Sequence, residues 1–180
     1  LTEEPTQNQE AWDLYVKSGI LSGQVDDNRD TVIVLLENAI ELDPEFILAY
    51  GRLIAIYTNE YFNGYDPDEK LLDKARHYLN LMGKLASDSP DYHLAKGFFH
   101  YYSERDYDAA MAEFGIARIR QPNNSELFWA MGLVKRRMGD WVASMEYFEQ
   151  AVNLDPRSFK KSRLTAETAQ LIRDWRKSRK

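Results

Sequence analysis

The chain has 180 residues, 44% of them hydrophobic and 29% charged, a composition typical of one globular domain or a short array of stacked units. This apolar content argues against wholesale disorder, and no apolar run approaches the roughly 18 residues of a membrane span. The absence of cysteine excludes disulfides and thiolate metal sites, and the net charge of −6 argues against nucleic-acid binding over the whole surface.

The charge is distributed unevenly along the chain. Residues 1–156 carry 14 Lys and Arg against 27 Asp and Glu, whereas residues 157–180 carry 9 against 2. A basic segment of this kind is usually a solvated helix. Contact with an acidic surface is the alternative.

The first unit is predicted over residues 10–44, after a leader of residues 1–9. Apolar residues recur there at helical spacing in two segments, which the polar stretch 22–30 separates. The β-branched run Thr31–Leu36 would also suit a buried strand. The helical spacing continues through Ala39, so we favour a helix.

The second unit, residues 45–90, is predicted to contain a longer turn. Its first helix carries Tyr50 and Tyr57, and the turn covers Thr58–Tyr65. Asp66 followed by Pro67 is a typical start for its second helix, because Asp caps a helix and proline suits the first helical position.

The third and fourth units, residues 91–124 and 125–158, repeat with a period of 34 residues. A helix, a tight turn, a second helix and a proline-marked turn make up each unit. One hairpin cannot bury its own apolar faces, whereas stacked hairpins can. The pairs that keep this period are Asp106 and Asp140, Phe114 and Phe148, Ala117 and Ala151, and Pro122 and Pro156.

A fifth unit is predicted over residues 159–180, either truncated after its first helix or acting as a capping helix. Arg173-Asp174-Trp175 repeats the turn sequences Arg105-Asp106-Tyr107 and Gly139-Asp140-Trp141, so a turn is expected there. The helix before it should present apolar surface, including Leu164 and Ile172, that could support a homo-oligomer.

These features resemble the tetratricopeptide repeat (TPR), a 34-residue hairpin with the pattern W-x2-L-G-x2-Y, A-x3-F and P. The match is strongest over Ser125–Ser158, although Lys135 replaces an aromatic residue and Ser144 replaces alanine. In the third unit the small and large residues have changed places at Gly97 and Phe98. The resemblance implies an all-α, right-handed superhelical solenoid of antiparallel hairpins.

A narrower resemblance concerns the start of the chain, including Glu10-Ala11-Trp12-Asp13-Leu14-Tyr15. It is similar to the TPR arms of bacterial adenylate or guanylate cyclases and winged-helix regulators. That resemblance implies a sensor arm, either cytoplasmic or, if a membrane helix lies upstream, extracytoplasmic.

The concave groove of a TPR array is lined by its first helices, and we predict that this groove binds a protein or peptide. Aromatic and arginine side chains are favoured anchors at interfaces. The alternative for the aromatic residues is simple packing between helices. The predicted partner-binding residues are Tyr92, Phe99, Tyr102, Trp129, Arg136 and Arg137.

Motifs that carry catalysis are not recognisable in this sequence. Gly-rich phosphate loops and nucleophile elbows are missing, and the three histidines lack metal-site spacing. We therefore predict a non-catalytic interaction scaffold without a cofactor, a metal site or nucleic-acid binding. A bacterial sensor arm and a self-association module are the alternatives.

Overall fold

The computed structural model describes residues 5–22, 28–63 and 68–178, with side chains as far as residue 174. These ranges are helical and contain no strand, which confirms the predicted fold class. None of their helices is long and apolar enough to cross a membrane. The helices are α1 (Gln9–Ser22), α2 (Arg29–Leu42), α3 (Ile47–Asn63), α4 (Glu69–Ala86), α5 (Pro90–Phe99), α6 (Tyr107–Arg120), α7 (Ser125–Arg137), α8 (Trp141–Leu154) and α9 (Phe159–Ser178).

Consecutive helices pair as hairpins, α1 with α2, α3 with α4, α5 with α6 and α7 with α8, and α9 packs on α8. Among the first helices, α3 also packs against α5. Two apolar cores result. One joins the first two hairpins and receives Ala95 and Phe99 from α5, and the other fills the third and fourth hairpins.

Asp106 and Asp140 open the second helices of the third and fourth hairpins. Asp106 accepts a hydrogen bond from the Ala109 amide at 2.9 Å, and Asp140 accepts one from the Ala143 amide at 3.1 Å. Each satisfies an amide that has no partner within its helix. The third turn sequence behaves differently, because α9 continues through 173–175 to Ser178.

Gly132 in α7 and Ser144 in α8 allow a close contact between the two helices of the fourth hairpin. A Cβ atom on Gly132 would lie 2.5 Å from Cδ1 of Phe148, so only glycine lets this ring approach. The Ser144 hydroxyl donates to the Gly132 carbonyl at 2.9 Å. Serine can therefore replace the usual alanine of the repeat without leaving a buried hydroxyl unpaired.

The third hairpin contains a π-helical turn, His100–Glu104, which continues α5. The N-caps Ser89 and Asn124, which precede α5 and α7, are 35 residues apart, whereas Asp106 and Asp140 are 34 apart. The third unit thus has one extra residue between its first cap and its turn. A π-helical turn accommodates one additional residue within a helix.

In the first two hairpins the structure confirms the helix favoured for Thr31–Leu36, whereas the long turn begins later than predicted. Thr31–Leu36 lies within α2, which excludes the strand alternative. Residues 58–63 of the predicted long turn continue α3, where the Thr58 hydroxyl donates to the Ile54 carbonyl at 2.8 Å. That segment contains no Gly or Pro that would end a helix.

Parts of several predictions fall outside the described residues. These are the start of the leader, the middle of the polar stretch 22–30, the end of the long turn with Asp66 and Pro67, and the last two residues. The N-cap of α4 is Asp68, which accepts from the Lys70 amide at 2.9 Å.

Candidate functional site: a groove along the first helices

A groove of about 650 Å³ runs along the first helices of successive units. Helices α1, α3, α5, α7 and α9 all contribute to its walls, so the groove exists only because the hairpins stack side by side. Its floor is mainly apolar, with four charged side chains. The lining residues are Tyr15, Ser22, Leu48, Gly51, Arg52, Ala55, Ile56, Asn59, Asp91, Leu94, Ala95, Phe98, Tyr102, Glu126, Trp129 and Lys160.

The π-helical turn determines which residues of α5 reach this groove. Glu126 and Trp129 of α7 line it, and the residues 35 positions earlier, Asp91 and Leu94, line it as well. A constant period of 34 would select Tyr92 and Ala95, and of these only Ala95 lines the groove. The extra residue in the third unit therefore shifts the groove face of α5 by one position.

Two of the six predicted residues, Tyr102 and Trp129, line the groove. Tyr92 is half-buried against α4, where a Cβ atom on Gly83 would lie 3.1 Å from its ring. Phe99 is buried in the first core. A constant period of 34 residues predicts both positions, and the extra residue in the third unit breaks that period between Ser89 and Asp106.

The remaining two predicted residues, Arg136 and Arg137, lie outside the groove lining, at the C-terminal end of α7. The Arg137 guanidinium lies 5.1 Å from the Phe62 ring centroid and donates to the Tyr101 hydroxyl at 3.5 Å. This hydrogen bond raises the pKa of Arg137. Basic side chains also complement the partial negative charge of a helix C-terminus.

Trp129 combines a core position with an unsatisfied donor. It is 5% exposed and packs in the second core. Its indole N–H is one of the buried polar groups in the described part of the chain that have no hydrogen-bond partner. The Lys160 ammonium lies 4.2 Å from the ring centroid, on the side of α9.

Arg52 of α3 is a groove residue that the sequence analysis did not identify. Its guanidinium lies 3.7 Å from the Tyr15 ring centroid and donates to the Tyr15 carbonyl at 2.8 Å and the Ser18 hydroxyl at 2.7 Å. Gly19 leaves room for it, since a Cβ atom there would lie 3.1 Å from Nη1. Burial lowers the pKa of Arg52, because desolvation disfavours the charged form.

Asp91, the second residue of α5, is a half-buried carboxylate in the same groove. Burial raises the pKa of Asp91, and a distant hydrogen bond from the Gln121 amide, at 3.5 Å, only partly opposes this effect. One signal in the sequence could have identified both missed residues. Arg52 and Asp91 are charged positions on otherwise apolar first-helix faces.

A second depression lies between α8 and α9, with a volume of about 990 Å³. Large apolar side chains are exposed in it, including Val142 at 67% and Leu171 at 54%. Asp140, Glu146 and Glu149 add acidic groups to its lining. We refer to this surface as the α8–α9 trough.

Comparisons with solved structures identify the architecture. The chain resembles TTC0263, described as a thermophilic TPR protein of Thermus thermophilus, with a TM-score of 0.68 and 16% identity over 90% of this chain and 82% of that one. This chain has the TPR fold. The TPR array is also similar to PilF of Pseudomonas aeruginosa, with a TM-score of 0.57 and 23% identity over 94% and 72% of the two chains.

No family model matches the sequence, and no curated protein matches it. Both structural neighbours are less than 25% identical to this chain, so these comparisons establish its fold and nothing about its function. The resemblance of the N-terminal residues to arms of bacterial cyclases and winged-helix regulators stays a prediction, and its first residues fall outside the described part of the chain.

Proposed function

We propose that this chain is a non-catalytic scaffold that binds a segment of a protein partner in the groove along its first helices. The observation that carries the proposal is the continuity of the groove across all five first helices. A peptide in such a groove could contact side chains far apart in the sequence. Its apolar floor would supply affinity, and its few polar groups would supply specificity.

The proposal is tested by filling the groove without disturbing the core. Ala55 is half-buried and lines the groove, so Ala55→Trp should place an indole where the partner would lie. Ala112→Trp is a matched control, because Ala112 is exposed on α6, outside the groove. Both variants should show wild-type helical circular dichroism.

The probe is a phage-displayed library of random peptides, selected on the immobilised full chain. Selected peptides should bind the wild type and Ala112→Trp equally, and Ala55→Trp should weaken binding by about tenfold or more, the loss expected when an anchor pocket is filled. Peptides that bind Ala55→Trp as tightly as the wild type would show that the groove is not the binding site.

Self-association is a second candidate function, favoured by the α8–α9 trough. Exposed apolar surface of this kind is typical of interaction sites. The trough is tested by light scattering of the full chain at increasing concentration. The average mass of the wild type should rise with concentration. Val142→Glu should keep the mass of a monomer, because the contact would bury a carboxylate. A constant monomeric mass of the wild type would exclude this candidate.

A further inference from the structure

Four charged side chains line the groove, and they differ in how their charge is compensated. Glu126 lies 3.6 Å from the Lys161 ammonium. Lys160 is exposed to solvent and lies over the Trp129 ring. Arg52 and Asp91 are half-buried, and neither forms an ion pair with any described residue. Lys160 likewise has no ion pair with a described residue, but it is exposed to water, so Arg52 and Asp91 are the half-buried groove charges without an opposite charge.

Arg52 is held in a fixed position although it lacks a counterion. The Tyr15 ring, the Tyr15 carbonyl and the Ser18 hydroxyl fix its guanidinium, and these groups are neutral. Its hydrogen bonds to these groups come from one terminal nitrogen, Nη1. A guanidinium has further donors, and its planar geometry suits bidentate binding of a carboxylate.

Asp91 is the corresponding site of negative charge, on the neighbouring first helix. The Gln121 amide, at 3.5 Å from both carboxylate oxygens, is its side-chain donor. A backbone hydrogen bond and the partial positive charge of the α5 N-terminus also stabilise this carboxylate, but no cation among the described residues pairs with it. Because α3 packs against α5, the two charges without an ion pair lie on adjacent helices of one groove wall.

We propose that the groove recognises a partner segment bearing both an acidic and a basic side chain, the first bound by Arg52 and the second by Asp91. This inference rests on the proposed function and specifies the chemistry of the partner. The other lining residues of α3 and α5 are mainly small or apolar, among them Leu48, Gly51 and Ala55 from α3 and Ala95 from α5. The segment would thus carry small or apolar residues beside its two charged side chains.

The test uses peptides selected from the random library on the full chain. Their affinities are measured by fluorescence anisotropy for the wild type, Arg52→Gln and Asp91→Asn. Arg118→Gln is the control for Arg52, because Arg118 is exposed on α6. Asp108→Asn is the control for Asp91, since both aspartates are the second residue of their helix and Asp108 is exposed.

Arg52→Gln should weaken binding by about tenfold to a hundredfold, the range for a hydrogen bond between charged groups. Replacing the peptide's acidic residue by its amide should cause the same loss on the wild type and no further loss on Arg52→Gln. Asp91→Asn should show the same coupling to the peptide's basic residue. The two control variants should bind as the wild type does.

The peptide-side substitutions keep the test valid if Arg52→Gln weakens the fold, since they leave the protein unchanged. If peptides blocked by Ala55→Trp bind without dependence on either charge, this inference is overturned while the proposed function stands. If the library yields no peptide that Ala55→Trp blocks, the proposed function fails, and this inference fails with it.

Discussion

Substituting glycine by alanine should have opposite effects at two helical positions of the array. A Cβ atom on Gly132 would lie 2.5 and 2.6 Å from two ring carbons of Phe148, which is fully buried. On Gly115, within α6, a Cβ atom would have no neighbour within 4 Å. The same substitution therefore creates a steric clash at one site and only improves helix propensity at the other.

The expected free energies follow from these contacts. Overpacking a fixed core costs about 1–3 kcal/mol, and the two contacts below 3 Å place Gly132→Ala near the upper limit. Alanine recovers about 1 kcal/mol of helix propensity, which leaves a net destabilisation of about 2 kcal/mol. Gly115→Ala should instead stabilise by about 0.5–1 kcal/mol.

Thermal unfolding followed by circular dichroism measures both effects. For a chain of this size the melting temperature should fall by about 4–8 °C in Gly132→Ala and rise by about 1–4 °C in Gly115→Ala. Gly97→Ala should behave like Gly132→Ala, because its Cβ atom would lie 2.3 Å from the Phe114 ring. Wild-type stability of Gly132→Ala and Gly97→Ala would refute the close contacts and the one-residue shift of α5.

Three further predictions concern stability. Trp129→Ala and Phe148→Ala should each lower the free energy of unfolding measured in urea by about 3–5 kcal/mol, because both side chains are buried in one core. Wild-type stability of Trp129→Ala would contradict this burial. Burial would raise the pKa of Glu113, but hydrogen bonds from His93 and Lys96 outweigh this effect and lower the pKa. The stability that this carboxylate contributes is therefore present above its unfolded pKa and is lost as the pH falls through the folded value. Glu113→Gln should therefore lower the free energy of unfolding by about 1–2 kcal/mol at neutral pH and make it depend less on pH in the acid range. An unchanged dependence on pH would count against the pairing. Arg105→Gly should leave the free energy of unfolding in urea unchanged or raise it by up to about 1 kcal/mol. The reason is that Arg105 has a positive φ of 55°, and Gly139 occupies the equivalent turn position at φ 80°. A clear loss of stability would show that the arginine side chain stabilises the turn.

The sequence predicted the features of the fold that depend on regular spacing. Apolar residues three and four apart, the caps Asp106 and Asp140 and the paired Phe114 and Phe148 are local or periodic signals, and the structure contains all of them. The exchange at Gly97 and Phe98 was visible as well. The π-helical turn that causes this exchange was not visible, because such a turn has no characteristic amino-acid composition and appears only as a one-residue change in register.

Groove residues were harder to predict, since each assignment depends on helix rotation. One residue of shift turns a side chain by about 100° around the helix axis, enough to move it from a groove to a core. Phe99 entered the first core for that reason, while Phe98 took the groove position. Arg52 is visible in the sequence as a charge on an otherwise apolar helix face, but its fixed position is not, because the groups that hold it come from α1, a different unit.

The extra residue in the third unit therefore affects the chemistry of the groove as well as its geometry. With a constant period of 34, α5 would present Tyr92 and Phe99 to a partner, and the groove would be a strip of aromatic rings. With the π-helical turn, α5 presents Asp91, Leu94, Ala95 and Phe98. A carboxylate then lies on the same wall as Arg52, and the groove changes from an aromatic strip into a surface with two half-buried opposite charges that have no ion pair. Selectivity for a mixed-charge segment would thus originate in the backbone insertion at His100–Glu104, outside the residues that contact the partner.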